Sequence, residues 1–333
     1  MRTSSETIRS FAGKRVLIAG DLVADQFLHG TIARVSREAP VFILEHDETR
    51  TVPGGAANAA VNVASMGGEP ILVGVVGNDP NGRLLENAIQ RAGVGCERVV
   101  RHDDVSTTTK VRVLAGQQYA GRQQVIRIDY GRQEELPDAI TDRSCSALTE
   151  AAMSADAIVV SDYNYGVVSP KLFAAAIDAS KDRGIPLVID SRFRLPLFVG
   201  ATSATPNQDE VEQILGKNFT FESCEMLRRK LGLESLLMTR GNQGMVLFES
   251  GREPLEMAAV GPTEPVDVTG AGDTVIAAYA LGLAAGLSFG YAAEVANHAG
   301  GIVVMKKGTA SATAQELFES LQQNASVSAE VGA

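Results

Sequence analysis

The amino-acid sequence predicts an α/β protein: an αβα sandwich with a central, mostly parallel sheet and a small protruding β lid. Three observations support this fold class. Short β-branched runs alternate with Ala- and Leu-rich segments along the 333 residues, the runs are almost continuously apolar, and two further segments interrupt the alternation with polar positions. Strands that are apolar on both faces belong to parallel sheets covered by helices on both sides.

Six apolar runs predict the strands of the central sheet. They lie at 15–19, 71–76, 157–160, 187–190, 235–239 and 245–249. Helices are predicted between them at 58–66, 82–92, 170–183 and 222–231. The C-terminal third contains two Ala-rich, Gly-punctuated helices, at 273–285 and 291–304, and their small residues predict close packing of one against the other.

Two segments interrupt this order and form the predicted lid, at about 26–52 and 107–130. Both carry polar residues between apolar ones, as the strands of an exposed hairpin do. Such strands, projecting from an α/β body, can cover a bound ligand, and an ordinary hairpin at the sheet edge fits the same periodicity. We expect residues 1–333 to form a single domain that includes both lid segments.

Composition argues against several classes of function. A net charge of −10, no Trp and 5% aromatic residues argue against a nucleic-acid partner. A phosphorylated small molecule is compatible, because it needs only a local group of N–H donors and cations. The three cysteines show no metal-ligand spacing, and no apolar run reaches the ~20 residues that span a membrane. We therefore expect a cytoplasmic protein with reduced thiols and no membrane partner.

The strongest chemical signal is the run Asp-Val-Thr-Gly-Ala-Gly-Asp at 267–273, which a helix-forming segment follows at once. The small residues Gly270, Ala271 and Gly272 let backbone N–H groups face a phosphate at the positive end of the helix dipole. Asp273 can then accept the proton of an attacking hydroxyl. The simpler interpretation is an Asp that caps a helix after a Gly-rich turn.

A second Gly-rich run, Pro-Gly-Gly-Ala-Ala-Asn at 53–58, precedes an Ala-rich helix. Gly54 and Gly55 allow a ligand to approach the backbone closely. Asn58 can hydrogen-bond a sugar hydroxyl. A tight turn followed by a helix start is the alternative interpretation. The run lacks the Lys and Ser/Thr of a P-loop.

Two acidic residues, Asp21 and Asp25, follow the first predicted strand. Open α/β sheets bind ligands at the carboxyl ends of their strands, and carboxylates there are good partners for paired sugar hydroxyls. A turn that uses Asp for its backbone geometry is an equally good interpretation. No GxGxxG run follows this strand, so nicotinamide chemistry has no support.

A third pattern, Thr-Pro-Asn-Gln-Asp-Glu at 205–210, closes a strand and opens a helix. Asn207 and Glu210 share a helical face and can hold the water shell of Mg²⁺. A capping pair is the more common use of such residues. Farther along, Thr239 and Gly241 begin a turn between two strands, which can approach nucleotide phosphates or simply form a hairpin.

Taken in this order, the segments resemble those of the ribokinase-like (PfkB-type) carbohydrate kinases. The resemblance covers about residues 14–320 and rests on the two runs at 54–58 and 267–273. It implies an αβα fold with a β lid, phosphoryl transfer from ATP to a sugar hydroxyl, Mg²⁺, and often a stimulating monovalent cation such as K⁺. Homodimers formed lid to lid also occur in that family, and the apolar segment 41–44 is suited to such a contact.

The resemblance implies a role for each matching position. Asp273 would be the catalytic base, and the N–H groups of Gly270, Ala271 and Gly272 would form the anion hole. The other implied positions are sugar contacts at Asp21, Asp25, Gly54, Gly55 and Asn58, nucleotide contacts at Asn207, Thr239, Gly241, Gly244 and Asn297, a water-mediated Mg²⁺ site at Asn207 and Glu210, and a monovalent-cation site at Asp267.

A narrower resemblance is to the D-glycero-β-D-manno-heptose 7-phosphate 1-kinases, which phosphorylate a sugar phosphate for lipopolysaccharide precursor synthesis. It rests on the runs at 36–41, 109–113, 126–129 and 161–163. It implies Asp162 as a substrate contact. Lys110, Arg112 and Arg127 would bind the 7-phosphate, and solvated lid charges are the alternative. A nucleotidylyltransferase domain is often fused to this kinase, and we expect a separate enzyme to supply that step here.

Two positions depart from that branch, because Tyr165 and Arg192 stand where it has lysines. Lys to Arg keeps a phosphate contact with altered geometry, whereas Lys to Tyr removes a charge. These changes bear on the acceptor and leave the transfer chemistry intact. Ribose, a ketohexose phosphate and a nucleoside are alternative acceptors. A non-catalytic sugar-binding paralogue is a further alternative, and the presence of the base Asp273 argues against it.

Overall fold

The computed structural model of the chain describes residues 2–116, 122–131, 135–262 and 264–331. Its strands are β1 (Arg15–Gly20), β2 (Leu22–Val35), β3 (Phe42–Gly55), β4 (Glu69–Gly77), β5 (Val99–His102), β6 (Thr109–Gly116), β7 (Gln123–Tyr130), β8 (Ala157–Asp162), β9 (Leu187–Ser191), β10 (Ser203–Ala204), β11 (Ser235–Thr239), β12 (Met245–Glu249) and β13 (Leu255–Met257). Its helices are α1 (Ser4–Arg9), α2 (Ala56–Ser65), α3 (Pro80–Arg91), α4 (Asp138–Ala152), α5 (Pro170–Arg183), α6 (Gln208–Leu215), α7 (Phe221–Lys230), α8 (Ala271–Ala284), α9 (Phe289–Val303) and α10 (Ala314–Val331).

The main sheet confirms the predicted αβα class. Its nine strands follow the order β13-β12-β11-β10-β9-β8-β1-β4-β5. Each neighbouring pair from β5 to β11 is parallel, whereas β12 and β13 are antiparallel additions at one edge. The six predicted strands all belong to this sheet, and the predicted helices are present with starts shifted by a residue or two.

Helices cover both faces of the sheet because its strands are apolar on both sides. Along β1, Val16 and Ile18 face a core formed with α2, α8 and α9, whereas Leu17 and Ala19 face a second core formed with α4 and α5. Each fully buried Val, Leu or Ile side chain contributes about 1.5–3 kcal/mol relative to exposure. Helices α8 and α9 pack as closely as their small residues predict, since a Cβ placed at Gly282 would lie 3.1 Å from the Cβ of Ala292.

The lid is a separate sheet of four strands in the order β3-β2-β6-β7. Strands β2 and β3 form a long antiparallel pair, β6 runs parallel to β2, and β7 returns antiparallel to β6. All four strands join the body at one end of the lid, where Leu22 lies opposite Gly55 and Thr109 lies opposite both Ala24 and Tyr130. The predicted lid segment at 107–130 includes residues 117–121, which lie outside the described ranges.

The carboxyl ends of β1 and β8 approach each other closely, and this contact positions the site. A Cβ placed at Gly20 would lie 2.1 Å from the carbonyl oxygen of Ser161, so only glycine allows the two strands to end side by side. The acidic residues that follow, Asp21 and Asp162, therefore lie at the same sheet edge as the root of the lid. None of the helices in the described part of the chain is long and apolar enough to cross a membrane.

Candidate active site

A buried carboxylate, that of Asp273, lies at the start of α8 and is 3% exposed. One carboxylate oxygen accepts a hydrogen bond from Asn58 Nδ2 at 2.9 Å and the other accepts one from the Tyr163 hydroxyl at 2.7 Å. Burial raises the pKa of Asp273 to about 6, although both hydrogen bonds oppose the rise. The group is thus ionised at neutral pH and close enough to its pKa to exchange a proton.

Asp273 does not cap the helix, because Gly270 occupies the N-cap position with φ of 79°. The N–H groups of Gly270, Gly272 and Asp273 have no acceptor among the described residues, whereas the Ala271 N–H donates to the carbonyl of Val268 at 3.2 Å. A Cβ at Gly270 would lie 2.6 Å from Asn58 Nδ2, so this position requires glycine on two grounds. The helix start therefore offers a group of free N–H donors beside the base, and within it Ala271 is the predicted donor that is already engaged.

Asn58 orients the Asp273 carboxylate in this structure. Its amide nitrogen donates to Asp273, and its amide oxygen accepts from Asn62 Nδ2 at 3.2 Å. Asn62 in turn accepts from the N–H of Ala312 at 3.2 Å. The prediction that Asn58 contacts sugar is not tested by this geometry, which gives the side chain an additional role. Asn62 was not identified from the sequence, although its position one turn after Asn58 on α2 is a signal that could have found it.

Asp21 anchors the loop that follows β8. The carboxylate is 1% exposed and accepts N–H groups from Tyr163 at 2.8 Å, Tyr165 at 3.0 Å and Val167 at 3.1 Å. Burial raises the pKa of Asp21 to about 6 against the effect of these hydrogen bonds. Three of the roughly four lone-pair positions of the carboxylate are therefore used by backbone, and the predicted contact with a sugar stays a prediction.

Gly54 and Gly55 make room for this arrangement. A Cβ at Gly54 would lie 2.5 Å from a carboxylate oxygen of Asp25, and one at Gly55 would lie 2.5 Å from the carbonyl oxygen of Asp21. Gly55 also has a φ of 60°, which favours glycine. Both glycines lie where the lid returns to the body, so that they hold the two acidic residues close to the start of α2.

Asp162 lies at the same edge, where other groups of the chain engage its carboxylate, and its predicted substrate contact stays a prediction. Its carboxylate accepts two hydrogen bonds from the Arg194 guanidinium, one from Ser191 Oγ at 2.6 Å and one from the Asn164 N–H at 3.0 Å. These donors occupy all the lone-pair positions of the buried group. The side chain thus belongs to an internal ion pair, which the sequence did not reveal because Arg194 lies on a separate loop.

The inner face of the lid carries three cations and two carboxylates. Lys110 and Arg112 lie two residues apart on β6 and therefore share a face. On β7, Asp129 lies opposite Lys110 and Arg127 lies opposite Arg112. Arg112 contacts Asp25 at 3.5 Å and Arg127 contacts Asp129 at 2.9 Å. Lys110, which is 8% exposed, has no ion-pair partner among the residues that the structure describes. Its ammonium lies 5.2 and 5.6 Å from the ring centres of two tyrosines, Tyr163 and Tyr165.

The predicted metal pair, Asn207 and Glu210, forms a capping box at the start of α6. The Asn207 side chain accepts the Glu210 N–H and Glu210 Oε2 accepts the Asn207 N–H, both at 2.9 Å. Burial raises the pKa of Glu210 to about 7. Burial and the nearby Glu210 carboxylate raise the pKa of Asp190 well above its usual value.

These groups fit a water-mediated Mg²⁺ rather than a directly caged metal. One oxygen of Glu210 remains outside the capping box, and a divalent cation would relieve its repulsion with Asp190. The described ranges contain no group of three or more His, Cys, Asp or Glu residues that could hold a metal directly. No role for Asp190 was predicted from the sequence, and its position at the end of β9, near Glu210, is what identifies it.

Three of the predicted nucleotide positions, Thr239, Gly241 and Gly244, lie at the end of β11 and in the turn that follows it. Thr239 pairs with Asn207 across a parallel bridge, and Gly241 and Gly244 have φ of 58° and 84° in the turn between β11 and β12. Asn297 donates to the carbonyl of Ala258 at 2.7 Å. It lines a cavity of about 1210 Å³ between β13, α9 and α10, large enough for a nucleoside.

Asp267, the predicted monovalent-cation position, is held by backbone. One carboxylate oxygen accepts the Thr269 N–H at 2.9 Å and the other accepts the Gly308 N–H at 2.9 Å. Partial burial opposes these hydrogen bonds, which nevertheless lower the pKa of Asp267. The group is therefore an anion with spare lone pairs at the start of the 267–273 run, and cation binding there stays a prediction.

Comparisons with known proteins identify the family. The model of the pfkB family of carbohydrate kinases matches residues 29–316, so the chain belongs to this family. Among curated relatives, the Bifunctional protein HldE of Caulobacter vibrioides is 39% identical over 93% of this chain, and that of Alkalilimnicola ehrlichii is 39% identical over 95%. The chain spans just under two thirds of these relatives, at 64% and 65% of their lengths.

Solved structures agree with the fold. The ribokinase of Arabidopsis thaliana complexed with ribose and ATP aligns with a TM-score of 0.70 and 21% identity, covering 93% of this chain and 99% of that one. Phosphofructokinase-2 of Escherichia coli in complex with potassium aligns with a TM-score of 0.72 and 17% identity, covering 94% and 99%. The ribokinase-like fold and the carbohydrate kinase class predicted from the sequence are confirmed.

The buried charge of Asp273 predicts a pH-dependent gain in stability for Asp273→Asn. The pKa of Asp273 is about 6 in the folded protein and lower in the unfolded chain, so the folded state binds the proton more tightly. The resulting contribution to the free energy of unfolding is complete below the unfolded-state pKa and is lost as pH rises through about 6. A shift of this size corresponds to about 3 kcal/mol at most, so the neutral amide should unfold at higher urea concentration than the wild type at pH 8. The gap should narrow at pH 5, where the wild-type carboxyl is protonated. Asp178→Asn, at an exposed position of α5, is the control. An equal gap at both pH values would contradict the assigned cost of burial.

Proposed function

We propose that this pfkB-family chain transfers the γ-phosphoryl group of ATP to a hydroxyl of a sugar, with Asp273 as the general base. The observation that carries this proposal is the arrangement at the start of α8, where a buried carboxylate lies beside unpaired N–H groups. A base for the attacking hydroxyl and an anion hole for the transferred group are the minimum that phosphoryl transfer requires.

The reaction follows from what these residues can hold. The sugar lies between the carboxyl edge of the sheet and the inner face of the lid, and lid closure excludes water that would otherwise hydrolyse ATP. The acceptor oxygen gives its proton to Asp273 as it attacks the γ-phosphorus, and the bond from that phosphorus to the bridging oxygen breaks to release ADP. The N–H groups of Gly270 and Gly272 stabilise the charge that develops on the phosphoryl oxygens. Mg²⁺, when bound near Asn207 and Glu210, would supply further charge neutralisation to the nucleotide phosphates.

Asp273→Asn tests the role of the base. Turnover should fall by about three powers of ten, because the amide cannot accept the proton, whereas the affinity for ATP should change little. Steady-state kinetics with a saturating sugar phosphate and calorimetric titration of ATP measure the two quantities. Asp178→Asn serves again as the matched carboxylate-to-amide control. Near-normal turnover in Asp273→Asn would refute the assignment.

For the acceptor, we propose D-glycero-β-D-manno-heptose 7-phosphate, phosphorylated at its anomeric hydroxyl. Support comes from the sequence resemblance at the lid and from the inner lid face, where three cations face two carboxylates. Lys110 makes no direct ion pair with the nearby Asp25 and Asp129 carboxylates, and an acceptor that brings its own phosphate would supply one. Arg112 is open to the same phosphate, since its Nε is buried with no partner in the described part of the chain. Arg127 is engaged by Asp129 through two hydrogen bonds and is the least available of the three.

Lys110→Met tests the phosphate contact. The KM for heptose 7-phosphate should rise at least tenfold, since a charge-assisted contact in a partly closed site is lost, and ATP KM should not change. Arg34→Met, at an exposed position far along β2, is the control. ATP consumption should be measured for heptose 7-phosphate beside ribose, a ketohexose phosphate and a nucleoside. Faster turnover of an unphosphorylated sugar, or an unchanged KM in Lys110→Met, would refute this acceptor.

We further propose a homodimer formed through the outer face of the lid. On β7, Ile126, Ile128 and Tyr130 point away from the cationic inner face and are between 41% and 54% exposed. An exposed apolar row of this kind is typical of a protein–protein contact.

Ile128→Glu should convert a dimer to a monomer in sedimentation velocity, whereas Met226→Glu, at a similarly exposed apolar position on α7, should not. A monomeric wild type at micromolar concentration would contradict the proposal.

A further inference from the structure

Tyr163 hydrogen-bonds the proposed base directly, and its sequence context gave it no role. Its hydroxyl donates to Asp273 Oδ1 at 2.7 Å, while Asn58 holds Oδ2 from the opposite element. The two donors fix the plane of the carboxylate. Each oxygen keeps a further lone pair, which is where an acceptor hydroxyl can deliver its proton.

The position of Tyr163 is itself fixed from three sides. Its backbone N–H donates to the Asp21 carboxylate at 2.8 Å. Its ring packs against Gly55, where an added Cβ would lie 3.5 Å from the ring. The Lys110 ammonium lies 5.2 Å from the ring centre on the lid side. Burial and the adjacent Asp273 carboxylate raise the pKa of Tyr163 well above its usual value, so the hydroxyl stays a proton donor across the working pH range.

We propose that Tyr163 is a positioning residue for phosphoryl transfer, whose hydroxyl fixes the orientation of the Asp273 carboxylate and stabilises its anionic form. This inference rests on the proposed role of Asp273 as base. It also gives the Asp21 carboxylate a purpose, since three N–H groups of the 163–167 loop converge on it and so determine where the tyrosine hydroxyl lies.

The charges around Asp273 set the direction of the expected pH effect. Burial raises its pKa most strongly and the Asp25 carboxylate adds to the rise, whereas Asn58, Tyr163 and Lys110 lower it. Asp190, at the end of β9, is a further like charge that faces the same site. Removing the Tyr163 hydroxyl removes one of the three opposing groups. The pKa of Asp273 should therefore rise above about 6, and more alkaline solution should be needed to ionise it.

Tyr163→Phe tests the proposal through the pH profile of kcat/KM. The acidic limb should move to higher pH by about one unit, the change expected when a hydrogen bond to a charged group is lost. Activity should fall about fivefold at pH 6 and recover towards the wild-type value near pH 9. Tyr165→Phe is the matched control, since its ring also faces Lys110 but its hydroxyl makes no bond to Asp273. Its acidic limb should stay at the wild-type position.

Each outcome has a distinct meaning. A Tyr163→Phe variant that is folded by circular dichroism but loses the same factor of activity at every pH would refute the inference, because a purely structural role produces that result. An unmoved limb with full activity would refute it as well. Activity in Asp273→Asn would instead refute the base assignment on which the inference rests. If Asp273→Asn is inactive and the acidic limb of Tyr163→Phe does not move, the role of Tyr163 is refuted and the base assignment stands.

Discussion

The removal of one carboxylate from water is the constraint on which the rest of the site depends. Without donors, an ionised Asp273 would cost several kcal/mol or would simply take up a proton. Asn58 and Tyr163 supply those donors from two different elements, α2 and the loop after β8. Their hydrogen bonds keep the pKa of Asp273 at about 6 rather than higher. The same group is therefore both a cost to stability and a carboxylate that can exchange a proton near neutral pH.

Donors can converge in this way only because glycines let backbones come together. Gly20 allows β1 and β8 to end side by side, Gly55 makes room for Asp21 beneath α2, and Gly270 brings α8 against Asn58. At each of these positions a Cβ would meet its neighbour at 2.6 Å or less, well inside van der Waals contact. The two Gly-rich runs of the sequence thus act on each other across the site, although each was first considered as a separate ligand-binding turn.

The sequence predicted what is encoded locally. Alternation of apolar runs and helical segments predicted the sheet and most of its helices, and the 267–273 run predicted a helix start with free N–H groups. Contacts between distant segments were beyond it. Asn58 and Asp273 are 215 residues apart, so nothing in either run reveals that one orients the other. The pairing of Asp162 with Arg194 was also not predicted, because it depends on how the end of β8 and a later loop fold together. Helix α10 was not predicted, because few of its residues are strongly hydrophobic. Leu317 and Leu321 are two that are, and both are buried.

The attachment of the lid at one end gives it the mechanics of a cantilever. Its four strands meet the body where Leu22, Gly55, Thr109 and Tyr130 are neighbours, and the rest of the sheet extends away from that root. When such a sheet tilts about its root, displacement grows with distance along the strands. Lys110 and Asp25 lie next to the root, so they would move least in such a tilt and keep their places beside the body. The far ends of β2 and β3 would travel farthest in the same tilt.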